Sequence, residues 1–280
     1  MQTIFARQSM APPKLFFFDV DGTIIGDITP QVCEWLILRH LGLKTTQYRK
    51  NLIAHLANGL MRPDLALFID TLKEKHKHAE MFIFTAADPV WAAFLIPCIE
   101  SVIGFKFNRP IFTRKHCENH GATKSLTHVA KIAHRTVGTL REYKIEDFKK
   151  SCVLIDNSHV IKPGEEARWI TCPTYAYMDV YDVLRQVPEE LLAQSYPALI
   201  PTLRSHGFYV KKDEKMVSYH TFKQHYYDRL SQLLVTSSPK KDAYWTHLGH
   251  LIHHIDHSHL KDSTIRKINN GLAKLRHRDH

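Results

Sequence analysis

Three short apolar runs punctuate the first 160 residues: "LFFF" at 15–18, "MFIF" at 81–84 and "CVLI" at 152–155. Each is apolar at every position, and each stops abruptly at a polar residue, Asp19, Thr85 or Asp156. A strand with one wet face alternates apolar and polar positions, whereas a strand apolar throughout is covered on both faces, as in a parallel sheet. Between the runs the spacing becomes helical, in "PQVCEWLILRHLGL" (30–43), "DPVWAAFLIPCIESVI" (88–103) and "TKSLTHVAKIAH" (123–134). Strands alternating with helices predict an α/β sheet with right-handed crossovers. Ligands in such sheets sit outside the carboxyl ends of the strands, so the pattern delivers Asp19, Thr85 and Asp156 to one functional edge.

The last third of the chain has a different character. Residues 201–280 hold 14 Lys+Arg against 7 Asp+Glu, most of the chain's net +10, and 11 of its 20 histidines. The shift predicts two zones, 1–203 as an α/β core and 204–280 as a basic, His-rich helical extension, with the boundary near Ser195–Thr202. Within the extension, 236–242 ("TSSPKKD") reads as a short linker, and 243–278 as helix with a stripe of Leu248, Leu251, Ile252, Ile255 and Leu260. No apolar stretch approaches the roughly 20 residues of a membrane span. The N-terminal residues lack the pattern of a secretory signal. Five widely spread cysteines, odd in number and without C-x-x-C, suit reduced thiols in the cytoplasm or nucleus. The positive charge favours acidic partners: nucleic acid, phosphorylated protein or an anionic surface.

The chemistry starts with "DVDGT" at 19–23. Side chains at i and i+2 of an extended segment project to one side, so Asp19 and Asp21 share a site. Two carboxylates this close raise each other's pKa unless a cation neutralises one. Mg²⁺ is the natural cation, since it takes one or two carboxylates together with phosphate oxygens and water. Asp19 is then the candidate nucleophile for phosphorus, and Asp21 the acid that protonates the leaving oxygen and later deprotonates water. Taken alone, the string reads equally well as an Asx turn. The other strand ends shift the balance. Thr85 and the N–H groups after it, beginning at Ala86, can hold phosphoryl oxygens at a helix N-terminus. Asp156 and Asn157 complete a candidate metal set with Asp19 and Asp21. A lysine is needed to steady the charge, and Lys124 is best placed, ahead of Lys115 and Lys131.

With D-x-D-G-T, strand–Thr, Lys and strand–Asp-Asn in this order, the chain resembles the haloacid dehalogenase superfamily of phosphatases. "FTAADPVWA", "FTRKHCENHGATKSL" and "SCVLIDNSHVI" are similar to its NLI-interacting-factor-like branch, which includes phosphatases of the RNA polymerase II C-terminal domain. The resemblance spans about 15–203 and implies a Rossmannoid core, Mg²⁺ dependence, an aspartyl-phosphate and phosphoserine or phosphothreonine in protein as substrate. It gives Arg114 a place in substrate binding, and Cys117 a structural one. The chain departs from the branch at Val20, Ile24 and His159, the last standing where proline is usual, and in an apparent insertion, 134–151, expected to reshape the rim of the site.

Between Asp19 and Thr85 lie 65 residues and between Thr85 and Lys124 lie 38, which leaves no room for a large cap domain. An uncapped site suits a macromolecular phosphoester. Two alternatives stand beside the protein phosphatase: a nucleic-acid end or nucleotide phosphatase gripping its substrate with the basic tail, and a phospho-ligand-binding protein with vestigial catalysis. Aromatic and basic residues interleaved in "YHTFKQHYYDRL" and "KKDAYWTHL" would serve the first by stacking on bases. "KHCENH" (115–120) reads as half a zinc site without its second half. His247, His250, His254 and His257 fall on one helical face, read as an ordinary polar face.

Overall fold

A computed structural model of the chain describes residues 13–149, 151–177, 187–205, 218–236, 242–254 and 261–276. Five strands, β1 (Leu15–Phe18), β2 (Glu80–Phe84), β3 (Asn108–Phe112), β4 (Cys152–Asp156) and β5 (Trp169–Thr171), form one parallel sheet in the order β3-β2-β1-β4-β5. The three apolar runs are the three central strands. Phe18 lies opposite Ile83 on one side and Ile155 on the other, so β1, β2 and β4 end level. Asp19, Thr85 and Asp156 therefore leave the sheet at the same edge, as the polarity pattern predicts.

The strand period of two splits each run between two cores. Phe16, Phe18, Met81, Ile83, Val153 and Ile155 face one; Leu15, Phe17, Phe82, Phe84 and Leu154 face the other. On the second face Phe17 stacks on Phe82, with ring centres 5.3 Å apart, and meets Phe84 and Phe112 edge-on. That face is covered by α5 (Leu126–Thr136) and α6 (Ile145–Lys149), which contribute Leu126, Val129, Ala133 and Phe148. The first face carries the larger layer: α1 (Thr29–His40), α2 (Thr46–His55), α3 (Leu65–Lys75), α4 (Pro89–Ile103) and four later helices. Among the described residues, the segment between β1 and β2 packs on this face and forms no separate cap.

Strands β3 and β5 carry no apolar run. They are the sheet edges, where one side is wet and a proline such as Pro110 is tolerated.

The later helices are α7 (Glu189–Ser205), α8 (Tyr219–Thr236), α9 (Tyr244–His254) and α10 (Asp262–Arg276). Ser195–Thr202, expected as a boundary, lies inside α7, where Leu199, Ile200 and Leu203 are buried. Trp245 of α9 is fully buried against Phe18 and Phe68, at centroid distances of 6.0 and 5.0 Å. From α10, the Asn269 side chain accepts from the Thr171 N–H (3.0 Å) and donates to the Trp169 carbonyl (2.9 Å), sealing the β5 edge. The described part of the extension is thus built into the first core. Phe222, Tyr244 and Trp245 are buried there, so they are not exposed for stacking on bases. Leu248 and Ile252 of the expected stripe are buried; Ile255 and Leu260, residues 237–241 of the linker, His257 and the His254 side chain lie outside the described residues.

The described part of the insertion packs away from the rim. Leu140 and Phe148 are buried in the second core, and the Thr139 hydroxyl bonds Glu80 at the first residue of β2. It sits at the edge of the sheet opposite the strand ends that carry the candidate chemistry. All five cysteines are free, and no described helix is long and apolar enough to cross a membrane.

Candidate active site

After Phe18 the chain turns through 19–25 in a tight loop in which the Val20 carbonyl accepts from the N–H groups of Thr23, Ile24 and Ile25. The Asp19 N–H continues the sheet to the Ile155 carbonyl (3.0 Å), which holds the first aspartate beside the end of β4. Gly22 has φ +73°, and a Cβ there would lie 2.5 Å from the Asn157 amide nitrogen. Both conformation and space demand glycine at this turn.

Lys124 precedes α5, whose N-cap Ser125 accepts from the His128 N–H (3.3 Å). The lysine is pinned by its own backbone to the loop after β4: its N–H donates to Val160 (2.6 Å), and its carbonyl accepts from Lys162 (2.8 Å). From there the ammonium reaches Asp19 Oδ1 at 2.5 Å and Asp156 Oδ2 at 2.7 Å. Lys124 and Asp156 are each 1% exposed and Asp19 is 6% exposed. Buried between two carboxylates, the ammonium is held firmly protonated, its pKa raised despite desolvation. Asp156 is raised to about 6, first by burial and then by Asp19, against the pull of Lys124. Its second oxygen accepts from the Ser158 N–H (2.7 Å).

Thr23, the last residue of "DVDGT", ties the parts together. Its hydroxyl contacts Asp19 Oδ2 (3.2 Å) and Asn157 Oδ1 (3.1 Å) and accepts from the Asn157 N–H (3.1 Å). Asn157 also donates to the Thr174 hydroxyl (3.1 Å). Thr23 and Thr174 are residues the sequence reading did not single out, although Thr23 stood inside the motif.

Asp21 opens onto a cavity of about 490 Å³ lined also by Asp27, Val32, Asp88, Trp91, Arg114, Asn157 and Tyr175. Its carboxyl is pushed up to about 7, chiefly by desolvation and then by Asp19, with smaller contributions from Asp27 and Asp156 against Lys124. The side chain faces the cavity mouth and is exposed there, so water limits the desolvation part while the neighbouring carboxylates keep the direction.

Beside the cavity-lining Ala87, Thr85 is buried just after β2, its N–H bonded to Phe112 and its hydroxyl accepting from the Ala87 N–H (3.1 Å). The Ala86 carbonyl accepts from Arg114 Nε (2.8 Å), and the Arg114 N–H donates to Ala87, so the loops after β2 and β3 form one wall. The N-terminus of α4 differs from expectation as an anion site. Asp88 caps it, accepting from the N–H groups of Val90 (2.8 Å) and Trp91 (3.3 Å). Lys115 and Lys131 are exposed and make no bond to the aspartates.

Asp19, Asp156, Lys124, Asn157 and Thr23 thus form one network, with Asp21, Thr85, Ala86 and Arg114 around it. A family model of NLI interacting factor-like phosphatases matches residues 14–196. The chain belongs to this family. The matched segment carries every candidate residue above and ends inside α7, so α8, α9 and α10 lie outside it. A similar solved structure is that of the fission yeast RNA polymerase II CTD phosphatase Fcp1 bound to beryllium fluoride. It shares 16% identity at a TM-score of 0.35 and covers 94% of this chain, which spans 62% of that one. No curated protein sequence matches the chain.

The phosphatase-family site fits a hard divalent cation. Three carboxylates, Asp19, Asp21 and Asp156, face a single ammonium, which leaves uncompensated negative charge, and the donors are all oxygens. Among the described residues no three His, Cys, Asp or Glu side chains converge as a ready-made metal-holding group, so the protein would supply only part of the coordination. A cation here would keep much of its hydration, as Mg²⁺ prefers.

Proposed function

We propose that this protein is a phosphomonoesterase working through an aspartyl-phosphate on Asp19. The observation that carries the reading is the Lys124 ammonium bridging Asp19 and Asp156 at the carboxyl edge of the sheet. It sets a cation against Asp19 in a buried place, with Asp156 on its other side. Asp19 attacks phosphorus, forming its O–P bond as the ester P–O bond breaks. Asp21, whose carboxyl is raised to about 7, donates its proton to the departing oxygen. In the second step Asp21 takes a proton from the water that displaces Asp19 from phosphorus, releasing phosphate. Thr85, the Ala86 backbone and Lys124 hold phosphoryl oxygens, and Arg114 flanks the substrate from the cavity wall.

Asp19, Asp156 and Asn157 would hold Mg²⁺, with Asp21 close by; the ion supplies charge neutralisation for the phosphoryl group. Phosphoserine or phosphothreonine in protein is the substrate class we favour. The resemblance to the NLI-interacting-factor-like branch implies that class, and the cavity opens at Asp21 and Asn157 with no cap among the described residues. Free thiols suit a cytoplasmic or nuclear setting.

Hydrolysis of an aryl phosphate with Mg²⁺ tests the reading. Wild type turns over, and Asp19→Asn loses essentially all activity. Equal inertness of the two from pH 5 to 8 would sink the enzyme. A panel of phosphopeptides, nucleotides and phosphorylated oligonucleotide ends then ranks substrate classes, and preference for oligonucleotide ends would replace the protein substrate.

A further inference from the structure

Arg62 is a fully buried cation in the middle of the first core's rim. Such a charge survives only where its donors are satisfied. Nε and Nη2 form a fork on the two oxygens of Asp242, at 2.8 and 2.7 Å. Nη1 donates to the Pro173 carbonyl (2.9 Å) and contacts Cys172 Sγ and the Thr23 carbonyl (3.5 Å). The guanidinium lies 4.4 Å over the Tyr244 ring and 5.6 Å from Tyr175, a residue of the cavity wall. Its own N–H donates to Ile24 (2.8 Å).

One arginine therefore holds three things together. The Thr23 carbonyl belongs to the loop of the nucleophile, and the Thr23 hydroxyl touches Asp19 and Asn157. Pro173 precedes Thr174, which accepts from Asn157. Asp242 belongs to the C-terminal extension, where it also accepts from the Tyr244 N–H (3.0 Å) at the start of α9. The next residue, Trp245, anchors α9 in the core. A bidentate fork fixes the plane of the guanidinium as a point charge would not.

We infer that Asp242, beyond the family-matched segment, is a positioning residue of the active site, acting through Arg62 on the loops that carry Thr23 and Thr174. This makes the extension a part of the catalytic architecture, and it rests on the phosphatase reading for the reaction that it serves.

The test compares Asp242→Asn, Asp242→Glu and Thr246→Ala with wild type, using an aryl phosphate and Mg²⁺ at a temperature where melting curves show each folded. Thr246→Ala removes another tail-to-core side-chain bond, to Asp64 (2.7 Å), without touching Arg62. Asp242→Asn lowers kcat at least about tenfold with KM little changed, since small misplacement of catalytic groups is costly. Asp242→Glu, which keeps the charge, lies between it and wild type and carries the test if the asparagine variant does not fold. Thr246→Ala keeps wild-type kcat. Hydrogen exchange of peptides spanning 19–26 and 172–177 speeds up in Asp242→Asn and not in Thr246→Ala. Wild-type kcat in Asp242→Asn, or equal losses in Thr246→Ala, overturns the inference. Should wild type hydrolyse no phosphoester, the phosphatase reading fails separately, and unchanged exchange at 19–26 and 172–177 then overturns the positioning role.

Discussion

Replacing Lys124 by methionine keeps the stem and removes the ammonium that sits 2.5 Å from Asp19 and 2.7 Å from Asp156. The three side chains are 2%, 9% and 1% exposed, so water cannot take over the compensation. Breaking a buried ion pair by removing one partner costs about 3–5 kcal/mol, and here two carboxylates are stranded. Their cheapest relief is uptake of one shared proton. The folded variant then holds a proton that the unfolded chain gives up above about pH 4. Its stability falls as pH rises, by about 1.4 kcal/mol per unit until the pair's folded-state pKa is passed. Wild-type Lys124 has a raised pKa and stays charged throughout, while wild-type Asp156, raised to about 6, holds a proton of its own below that pH, so the two proteins diverge above about pH 6. Urea denaturation of both proteins without metal, at pH 5, 6, 7 and 8, reads the difference. We expect a gap that widens towards pH 8. A gap constant from pH 5 to 8 would refute the idea that Lys124 compensates these carboxylates.

Trp245→Ala is expected to cost about 3–5 kcal/mol in a single cooperative transition, and two transitions in calorimetry would detach α9 from the core. Gly22→Ala meets both a φ of +73° and the Asn157 amide, and should lose about 1–3 kcal/mol along with most activity; wild-type turnover would refute this. Asp21 and Asp156, raised to about 7 and about 6, hold protons in the folded state that the unfolded chain releases, so the metal-free protein loses stability from about pH 4 to 7. Mg²⁺ held by Asp19, Asp156 and Asn157 must displace the Asp156 proton, while Asp21 keeps its own for the leaving oxygen. Its affinity by titration calorimetry should weaken from pH 7.5 to 5.5 with proton uptake by buffer, and a pH-independent affinity would contradict the Asp156 shift.

The central strands were legible because burial on both faces leaves an apolar run that no other element explains, and their polar ends marked the site. The edge strands were hidden because a wet face relaxes that demand: "NRPIF" and "WIT" look like loop. Lys124 could be singled out by its position ahead of α5. Thr23 could not be given its role, since its partner Asn157 lies 134 residues away. The Arg62–Asp242 fork spans 180 residues, and nothing local to either residue announces it. The tail misled through composition. Its charges and histidines suggested a separate zone, while its buried residues, among them Trp245, Leu248, Ile252, Ile265, Ile268 and Leu272, are spaced as any amphipathic helix would space them.

The pinning of Lys124 to Val160 and Lys162 turns the chain between them into a detour clamped at its base. Glu165, on the far side of the clamp, also accepts from the N–H groups of Leu126 and Thr127, so the start of α5 is fastened to the loop that follows β4. Lysine and aspartate consequently ride on one small rigid patch, whatever happens between them. The entropy of such a closed excursion grows only logarithmically with its length. The distance between Lys124 and Asp156 is set at the base of the detour, independently of the turns around 137–144, whose own length is held instead by the packing of Leu140 in the second core.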